Sequence, residues 1–287
     1  MSLRLIHVLN PFDSQNTDQQ RIQEVTFQSI ANALDFGTGH MEVKVCAIRY
    51  SEDMSPLPKY MTELPNLSRS VLDFGDFNPK RRYPLVGDIM EEAVKLNGDY
   101  YMYTNMDIAL QPSFYDFVSR QIRDGHDAVI INRRRIPWEY ANKELPEMYA
   151  LEGKKHPGFD CFVFSKAIAD RLILGRICVG IPFIGVALAH NLFAFAERLA
   201  FYDRAQLTFH LGMEVMPHRE PDYYWHNRLE FFNRVKPSLW LHFDVSRFPY
   251  GRDWLPLRLI RWGLNPSLFI WMNIKLLLRK AFLSDRS

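Results

Sequence analysis

The sequence predicts an α/β fold in which helices cover both faces of a mostly parallel central sheet. In the first half of the chain, short apolar segments alternate with longer segments of helical periodicity. The apolar segments are continuous rather than alternating between apolar and polar residues, which is typical of parallel strands buried on both faces. The second half is less regular and richer in aromatic residues, and this indicates a helical, aromatic C-terminal extension.

The elements of the first half follow in a regular order. Apolar runs predict strands at "RLIHVLN", "MEVKVCAIRY", "SVLDF", "YYMYTNMDI" and "DAVIIN". Helical spacing predicts helices at "DQQRIQEVTFQSIANAL", "LVGDIMEEAVKLN" and "PSFYDFVSRQIRDG". Asp18 is a suitable N-cap for the first of these helices. Proline and basic residues predict loops at "PLPKYMTELPNL" and "FNPKRRYP".

The second half carries weaker signals of the same kind. Short strands are predicted in "HPGFDCFVFSK" and "AQLTFHLG", and helical structure in "NLFAFAERLAF" and in part of "EPDYYWHNRLEFFNRV". No internal repeat, low-complexity segment or linker is visible. We therefore expect one domain over residues 1–250, followed by a basic amphipathic tail over residues 251–287.

The composition excludes several classes of protein. Hydrophobic residues make up 47% and charged residues 24% of the chain, as in folded globular proteins. The net charge of +2 argues against a nucleic-acid partner. The three cysteines are widely spaced and form no metal pattern, which favours a reducing compartment. With no signal-peptide pattern and no run of about 20 apolar residues, a cytoplasmic location is expected.

The tail from Trp254 to Ser284 contains basic and apolar residues but no Asp or Glu. Such a segment can lie in a membrane interface, with its basic residues attracted to anionic lipid. This interpretation predicts peripheral contact with the inner face of the membrane. The alternative is a terminal helix that packs on the domain or on a second copy, which would make a homodimer.

The end of the fourth predicted strand is the first candidate for a ligand site. In parallel α/β sheets, ligands bind beyond the carboxyl ends of the strands. Asn105 and Asp107 lie at that edge, and a carboxylate there suits Mn²⁺ or Mg²⁺ because both prefer oxygen ligands. In the alternative interpretation, Asp107 only ends the strand or caps the next helix.

The run "RRYPLVGDIMEEAVKLNGDYYMYTNMDIAL" resembles nucleotide-sugar-dependent glycosyltransferases with the Rossmann-like A-type fold (GT-A). In that group a helix precedes a strand that ends in an Asp-x-Asp motif, and this chain has Asn105, Met106 and Asp107 there. The resemblance implies that these three residues contact the donor. It also implies that Asp107 holds a divalent cation on the diphosphate.

Two later segments match the same family in their order. The resemblance of "HPGFDCFVF" to the acceptor-side segment implies that Asp160 is the general base that takes the proton of the acceptor hydroxyl. The resemblance of "AQLTFHLG" to a late strand implies that His210 is a second metal ligand. The alternatives are that Asp160 forms a turn after Gly158, and that His210 is a hydrogen-bonded histidine in a strand.

Further residues near this edge are candidates for contacts to the donor nucleotide. In the family, the segment after the first strand cradles the base and ribose, and arginine and lysine bind phosphates. Asp88 is expected to orient a cation of the basic loop. The alternatives are solvated loops and simple packing. The candidates are Asn10, Pro11, Arg49, Tyr50, Lys80, Arg82, Asp88 and, among the three arginines after the fifth strand, Arg134.

The sequence thus predicts a glycosyltransferase that moves a sugar from a nucleotide-diphosphate donor to a hydroxyl of a glycan or lipid-linked acceptor. Metal assistance and inversion at the anomeric carbon are expected. The alternative is a non-catalytic module of the same fold that binds a glycan or a partner protein, and the neutral Asn105 favours it. A nucleotidyltransferase is disfavoured, because "NPFDSQNTD" after the first strand contains no glycine.

Overall fold

The structure is a computed structural model that describes residues 3–156, 158–213, 220–242, 246 and 250–264. The chain divides into two compact units between residues 243 and 244. The domain boundary predicted at residue 250 stays a prediction, and the two units are described separately.

The first unit alternates strands and helices along its first half, as the sequence predicts. Its strands are β1 (Leu3–Leu9), β2 (Met41–Ala47), β3 (Met61–Glu63), β4 (Tyr100–Thr104), β5 (Ala109–Leu110), β6 (Ala128–Ile131), β7 (Arg134–Ile136), β8 (Lys154–Lys155), β9 (Cys161–Ser165), β10 (Leu199–Tyr202) and β11 (Thr208–Leu211). Its α-helices are α1 (Thr17–Phe36), α2 (Val86–Val94), α3 (Phe114–Arg123), α4 (Leu145–Ala150), α5 (Lys166–Ala169), α6 (Ile184–Phe195), α7 (Pro221–Glu230) and α8 (Lys236–Leu239).

Seven strands form the central sheet in the order β10-β6-β9-β4-β1-β2-β3. The pairs β1–β2, β1–β4, β2–β3 and β6–β10 are parallel, and β9 runs antiparallel to both β4 and β6. The expected α/β class with a mostly parallel sheet is therefore confirmed. A second, smaller sheet has the order β5-β11-β7-β8.

The central strands are buried on both faces. Leu5 and Ile6 are consecutive in β1, so their side chains point to opposite faces, and both are fully buried. On one face, α1 and α3 contribute Ile30, Phe114 and Val118 to a cluster that includes Leu5. This two-sided burial explains why the strands are continuously apolar in sequence.

Two predicted elements differ from the structure near β3. The segment "SVLDF" is a 3₁₀ turn over Val71–Phe74 rather than a strand. The hydroxyl of Ser70 accepts a hydrogen bond from the Leu72 amide, and the Asp73 carboxylate accepts one from the Ser70 amide. These local bonds compete with strand pairing. The predicted loop "PLPKYMTELPNL" contains β3, whose edge position tolerates the flanking prolines.

The segment "NLFAFAERLAF" is only partly helical. Helix α6 ends at Phe195, and the chain turns before entering β10. The carboxylate of Asp127 accepts hydrogen bonds from the amides of Glu197 and Arg198, at 2.7 and 2.9 Å. These two long-range hydrogen bonds fix the turn, and a local helical pattern cannot reveal them.

In the second unit, the structure describes Ser246 and residues 250–264. They include helix α9 (Leu255–Leu264). The guanidinium of Arg261 pairs with Asp253 at 2.6 Å and lies over the Tyr250 ring. Most of the predicted tail, residues 265–287, lies outside the described residues. Within the described part of the chain, no helix is both long and apolar enough to cross a membrane.

Candidate active site

The carboxyl ends of β4 and β6 meet the beginning of β9 at one edge of the central sheet. Because β9 is antiparallel to both neighbours, Cys161 at its start lies opposite Thr104 at the end of β4 and opposite Ile131 at the end of β6. The residues that follow β4 and β6 therefore lie beside the residue that precedes β9. This geometry brings Asp107, Arg133 and Asp160 together.

The small sheet supplies His210 to the same place. Strand β11 lies between β5 and β7, and it places His210 opposite Arg135. The Nδ1 atom of His210 is 3.2 Å from Oδ2 of Asp107 and 3.2 Å from the Asp107 carbonyl oxygen. The structure thus brings together the two residues that the resemblance implied as metal ligands.

Arg133 links the two acids of this cluster. Its Nη1 donates a hydrogen bond to Oδ2 of Asp107 at 2.9 Å. Its Nε makes an ion-pair contact of 3.3 Å with Oδ1 of Asp160, and its backbone amide donates to Oδ2 of Asp160 at 3.2 Å. Among the three arginines after the fifth strand, the sequence favoured Arg134. The structure instead places Arg133 at the two acids.

The two carboxyl groups bind protons very differently. Burial alone would raise the pKa of Asp107, but Arg133 and His210 outweigh it and hold this pKa well below its usual range. Burial raises the pKa of Asp160 to about 6, although Arg133 opposes the increase. Asp107 therefore stays ionised, while Asp160 can exchange a proton near neutral pH.

His156 borders Asp160 without adding a charge. Its Nε2 lies 3.6 Å from Oδ1 of Asp160. Burial lowers the pKa of His156 to about 3, and the positive charge of Arg133 acts in the same direction. The imidazole is therefore neutral at pH 7. Of the two side chains next to Asp160, Arg133 and His156, only Arg133 therefore carries a positive charge.

A divalent cation held by protein ligands alone does not fit this arrangement. In the described ranges, no group of three His, Cys, Asp or Glu side chains is placed to hold a metal ion. Oδ2 of Asp107 already contacts Arg133 and His210. Oδ1 of Asp107 is buried and has no hydrogen-bond partner, so it is the one oxygen of this carboxylate left for a ligand.

Asn105 and Met106 complete the motif but carry no charge. Oδ1 of Asn105 accepts a hydrogen bond of 2.9 Å from the Tyr103 hydroxyl, and the Met106 side chain is buried in the core. This hydrogen bond from Tyr103 engages the amide oxygen that was expected to contact a ribose or a metal-bound water.

The nucleotide candidates after β1 and β2 lie side by side, because these strands are paired in parallel register. Asn10 is buried and donates to the Ile48 carbonyl at 2.8 Å, and Pro11 is buried beside it. The Arg49 guanidinium pairs with Glu63 at 2.7 Å. These bonds connect the strand ends and shape the surface on which a ligand would lie.

The basic loop has other partners than those expected. Arg82 pairs with Glu52 and lies over the Tyr50 ring, 4.1 Å from its centroid. Asp88 does not orient a cation of this loop, since its carboxylate binds the guanidinium of Arg69 through two hydrogen bonds of 2.6 and 2.8 Å. Lys80 is exposed.

Arg134 connects loops through their backbone. Its guanidinium donates to the carbonyl oxygens of Leu151, Tyr149 and Gln206, and it lies over the Phe209 ring at 5.3 Å. Burial lowers the pKa of Arg134 to about 10. The side chain predicted to contact a phosphate is thus largely engaged by backbone acceptors.

A cavity of about 240 Å³ opens beside Arg133. Its charged lining consists of Arg133, Arg134, Lys155 and Arg204, opposed by Glu152 and Asp203. Lys155 forms an ion pair with Asp203, and Arg204 is exposed. The cavity therefore favours an anionic ligand.

No protein-family model matches the chain, and no curated protein matches it. Solved structures do show similarity. The chain is similar to S. aureus TarS 1–349 in complex with UDP-GlcNAc, with 10% identity and a TM-score of 0.45 over 81% of this chain and 67% of that one. It is also similar to the galactosyltransferase LgtC in complex with donor and acceptor sugar analogs, with 8% identity and a TM-score of 0.40 over 79% of this chain and 93% of that one.

A third similar structure comes from Desulfovibrio desulfuricans G20 and is described as a nucleotide-diphospho-sugar transferase. Its identity is 12% and its TM-score 0.39, over 84% of this chain and 95% of that one. All three similarities concern the fold. The central sheet described above, parallel except for the reversed strand β9, is the mostly parallel α/β sheet that the sequence predicted.

Proposed function

We propose that this chain is a glycosyltransferase that moves a sugar from a nucleoside-diphosphate donor to a hydroxyl of a glycan or lipid-linked acceptor. The observation that carries the proposal is the placement of two acids, the half-buried Asp107 and the buried Asp160, on either side of Arg133 at the ligand edge of the sheet. Arg133 and His210 hold the pKa of Asp107 well below its usual range, so this acid is ionised at neutral pH, whereas burial raises the pKa of Asp160 to about 6. Pairs of carboxyl groups with separated pKa values are characteristic of acid–base chemistry.

In the proposed reaction, Asp160 is the general base of a single displacement. Its carboxylate takes the proton of the acceptor hydroxyl while the oxygen forms a bond to the anomeric carbon. The bond from that carbon to the diphosphate breaks, and the leaving oxygen keeps the electron pair. One displacement inverts the anomeric configuration. At pH 7 a group with a pKa of about 6 is mostly ionised and ready to accept a proton.

The nucleotide part of the donor is proposed to lie at the ends of β1 and β2. Asn10 and Tyr50 are buried near these strand ends, and the Arg82 guanidinium covers the Tyr50 ring. Lys80 and Arg82 remain proposed phosphate contacts. Both are accessible, since Lys80 is exposed and 43% of the Arg82 side chain is exposed.

The Mn²⁺ or Mg²⁺ predicted from the sequence would be held by Asp107 and His210, with phosphate oxygens as its other ligands. Mg²⁺ is commonly bound through one or two carboxylates and substrate phosphates. The partnerless Oδ1 of Asp107 supports this part of the prediction, whereas the contacts of Oδ2 do not. Donor binding measured with and without the ion distinguishes metal-assisted binding from metal-independent binding.

The second unit is proposed to contact a membrane surface, which would bring the enzyme to a lipid-linked acceptor. Leu255, Leu259 and Ile260 of α9 are more than half exposed, and Arg258 and Arg261 are in the same helix. We expect the full chain to float with anionic vesicles and a chain ending at Gly251 to remain behind. Equal flotation of the two chains, or flotation of neither, would contradict the proposal.

A thermal-shift assay tests the donor site. The chain is heated with UDP, GDP, ADP or UDP-GlcNAc, each with Mn²⁺ and with EDTA. We expect the melting temperature to rise for at least one nucleotide, because a ligand that binds only the folded state stabilises it. As a control for specificity, Asp116→Asn, a half-buried acid on α3, should respond to each nucleotide as the parent does. No shift under any condition would favour the non-catalytic glycan- or protein-binding module.

A further inference from the structure

The acidic cluster already contains a cation. The Arg133 guanidinium lies between Asp107 and Asp160, 2.9 Å from an oxygen of the first and 3.3 Å from an oxygen of the second. Only 10% of its side chain is exposed. A buried guanidinium held from two sides has a fixed position, in contrast to an arginine on a solvated loop.

A divalent ion would have to share this place with Arg133. The ion would share the Asp107 carboxylate with the guanidinium, and like charges repel strongly at such distances when they are partly buried. Asn105, at the first position of the motif, adds no negative charge that would offset this repulsion. Its side-chain oxygen already accepts a hydrogen bond from the Tyr103 hydroxyl. In the part of the chain that the structure describes, no set of three His, Cys, Asp or Glu side chains is placed to hold a metal ion.

Arg133 also faces the space where an anion would lie. It lines the cavity of about 240 Å³, together with the exposed Arg204 and the ion-paired Lys155. Its Nη1 and Nε contact the two acids, and no contact in the described ranges engages Nη2. A guanidinium can bind phosphate oxygens through its planar fork without a metal ion.

We propose that the donor diphosphate is neutralised by Arg133 and that no divalent cation is needed for donor binding. Arg133 contacts the diphosphate through its free edge, and Asp107 holds the guanidinium in place. The buried, partnerless Oδ1 of Asp107 accepts a hydrogen bond from a hydroxyl of the donor instead of binding a metal. This inference rests on the proposed function, because it assigns the charge that stabilises the leaving group of that reaction.

Titration calorimetry on the full chain tests the inference. The protein is freed of metal with EDTA, and UDP, GDP and ADP are titrated in EDTA and in Mn²⁺. We expect the same affinity in both buffers for the nucleotide that binds. Arg133→Lys keeps the charge and removes the fork, so affinity in EDTA should fall by about tenfold or more. Arg120→Lys, an exposed arginine on α3, is the matched control and should bind as the parent does.

A double variant, Arg133→Gln with Asp160→Asn, removes one charge of each sign and limits the destabilisation that an unpaired buried acid would cause. It should lose donor affinity in EDTA as well. If EDTA abolishes binding and Mn²⁺ restores it, or if the Arg133→Lys variant binds as the parent does, the inference is overturned while the proposed function stands. If no nucleotide binds in either buffer, both fail.

Discussion

Asp160 is the residue on which the proposed chemistry depends. Its carboxyl group is buried, its pKa is raised to about 6, and it receives a hydrogen bond from the Arg133 amide. A carboxylate in water is a weaker base, because its pKa is near 4. The environment therefore makes this side chain a stronger base than an ordinary aspartate and still leaves it ionised at neutral pH.

Asp160→Asn should lower turnover by about 10²- to 10⁴-fold, because the amide cannot accept the proton. The affinity for the donor nucleotide should change little. In the parent, turnover should rise with pH through about 6, since only ionised Asp160 is active, and the variant should lack this dependence. The measurement is the release of nucleoside diphosphate across pH 5–8.

Asp170→Asn, an exposed acid that pairs with Lys166, serves as the control and should turn over normally. If Asp160→Asn keeps its activity and its pH dependence, another group is the base.

The sequence pointed to three of the four residues in the cluster, Asp107, Asp160 and His210, because the order of their segments resembles that of the family. It did not locate Arg133. Three arginines follow β6 in succession, and the choice among them depends on how β7 pairs with β8 and β11. This pairing turns Arg134 towards backbone carbonyls and leaves Arg133 at the acids. Three identical residues in a row carry no local signal of this long-range pairing, so the sequence alone could not select Arg133.

At the scale of elements, helix α6 fixes the segment that carries Asp160. A Cβ atom added at Gly185 would lie 2.2 Å from the carbonyl oxygen of Phe159, which is closer than real contacts allow. The helix therefore packs directly on the backbone next to the proposed base. Close packing of backbone on backbone holds a side chain more firmly than a solvated loop does.

Gly185→Ala should therefore displace the Phe159 carbonyl and move Asp160. We expect the free energy of unfolding to fall by about 1–3 kcal/mol and turnover to fall further than stability alone explains. Denaturation with urea and an activity assay at a temperature where the variant is folded measure the two effects.

The control is Gly87→Ala, because Gly87 is also the second residue of its helix. A Cβ atom there would meet its nearest neighbour, the Gly175 carbonyl, at 3.6 Å, an ordinary contact. This variant should be as stable as the parent or up to about 1 kcal/mol more stable, owing to the helix propensity of alanine. Equal behaviour of the two variants would show that α6 does not position Asp160.

The order of strands and helices in the first half was largely readable from the sequence, because two-sided burial makes those strands continuously apolar. The reversed direction of β9 was not. Its local pattern, "CFVFS", is as apolar as that of its parallel neighbours, and direction is set by pairing with β4 and β6. The turn at Val71–Phe74 was missed for the opposite reason, since a local capping bond overrode an apolar run.

At the scale of the whole molecule, buried histidines connect stability to pH. His7 is enclosed in the core, where its ring nitrogens contact the hydroxyls of Tyr115 and Thr104 at 2.8 and 2.9 Å. Burial lowers the pKa of His7 and His156 to about 3 and that of His190 to about 4. The folded state thus keeps these rings neutral under conditions in which the unfolded state protonates them.

The free energy of unfolding should therefore fall as the pH drops below about 6.5, and the loss should continue towards pH 4. Each histidine contributes at most about 1.4 kcal/mol per pH unit in this window. Asp160 acts in the opposite direction, because its raised pKa favours the folded state at low pH and that contribution is lost as the pH rises through about 6. Three histidines outweigh one acid.

Urea denaturation at pH 7.5, 6.5, 5.5 and 4.5 measures the slope. His7→Gln should reduce the slope by up to about 1.4 kcal/mol per pH unit, the contribution of one titrating group. A stability that does not vary between pH 7.5 and 4.5 would contradict the assignment of neutral buried imidazoles.

The reversed strand β9 has a consequence for how such a molecule can diversify. Parallel strands deliver their following loops to the ligand edge, and those loops belong to the donor side of the proposed site. An antiparallel strand delivers the loop that comes before it, here the segment leading to Asp160. Insertions between β7 and β9 would therefore change the proposed recognition of the acceptor. The strand ends proposed to bind the donor nucleotide, those of β1 and β2, would stay as they are.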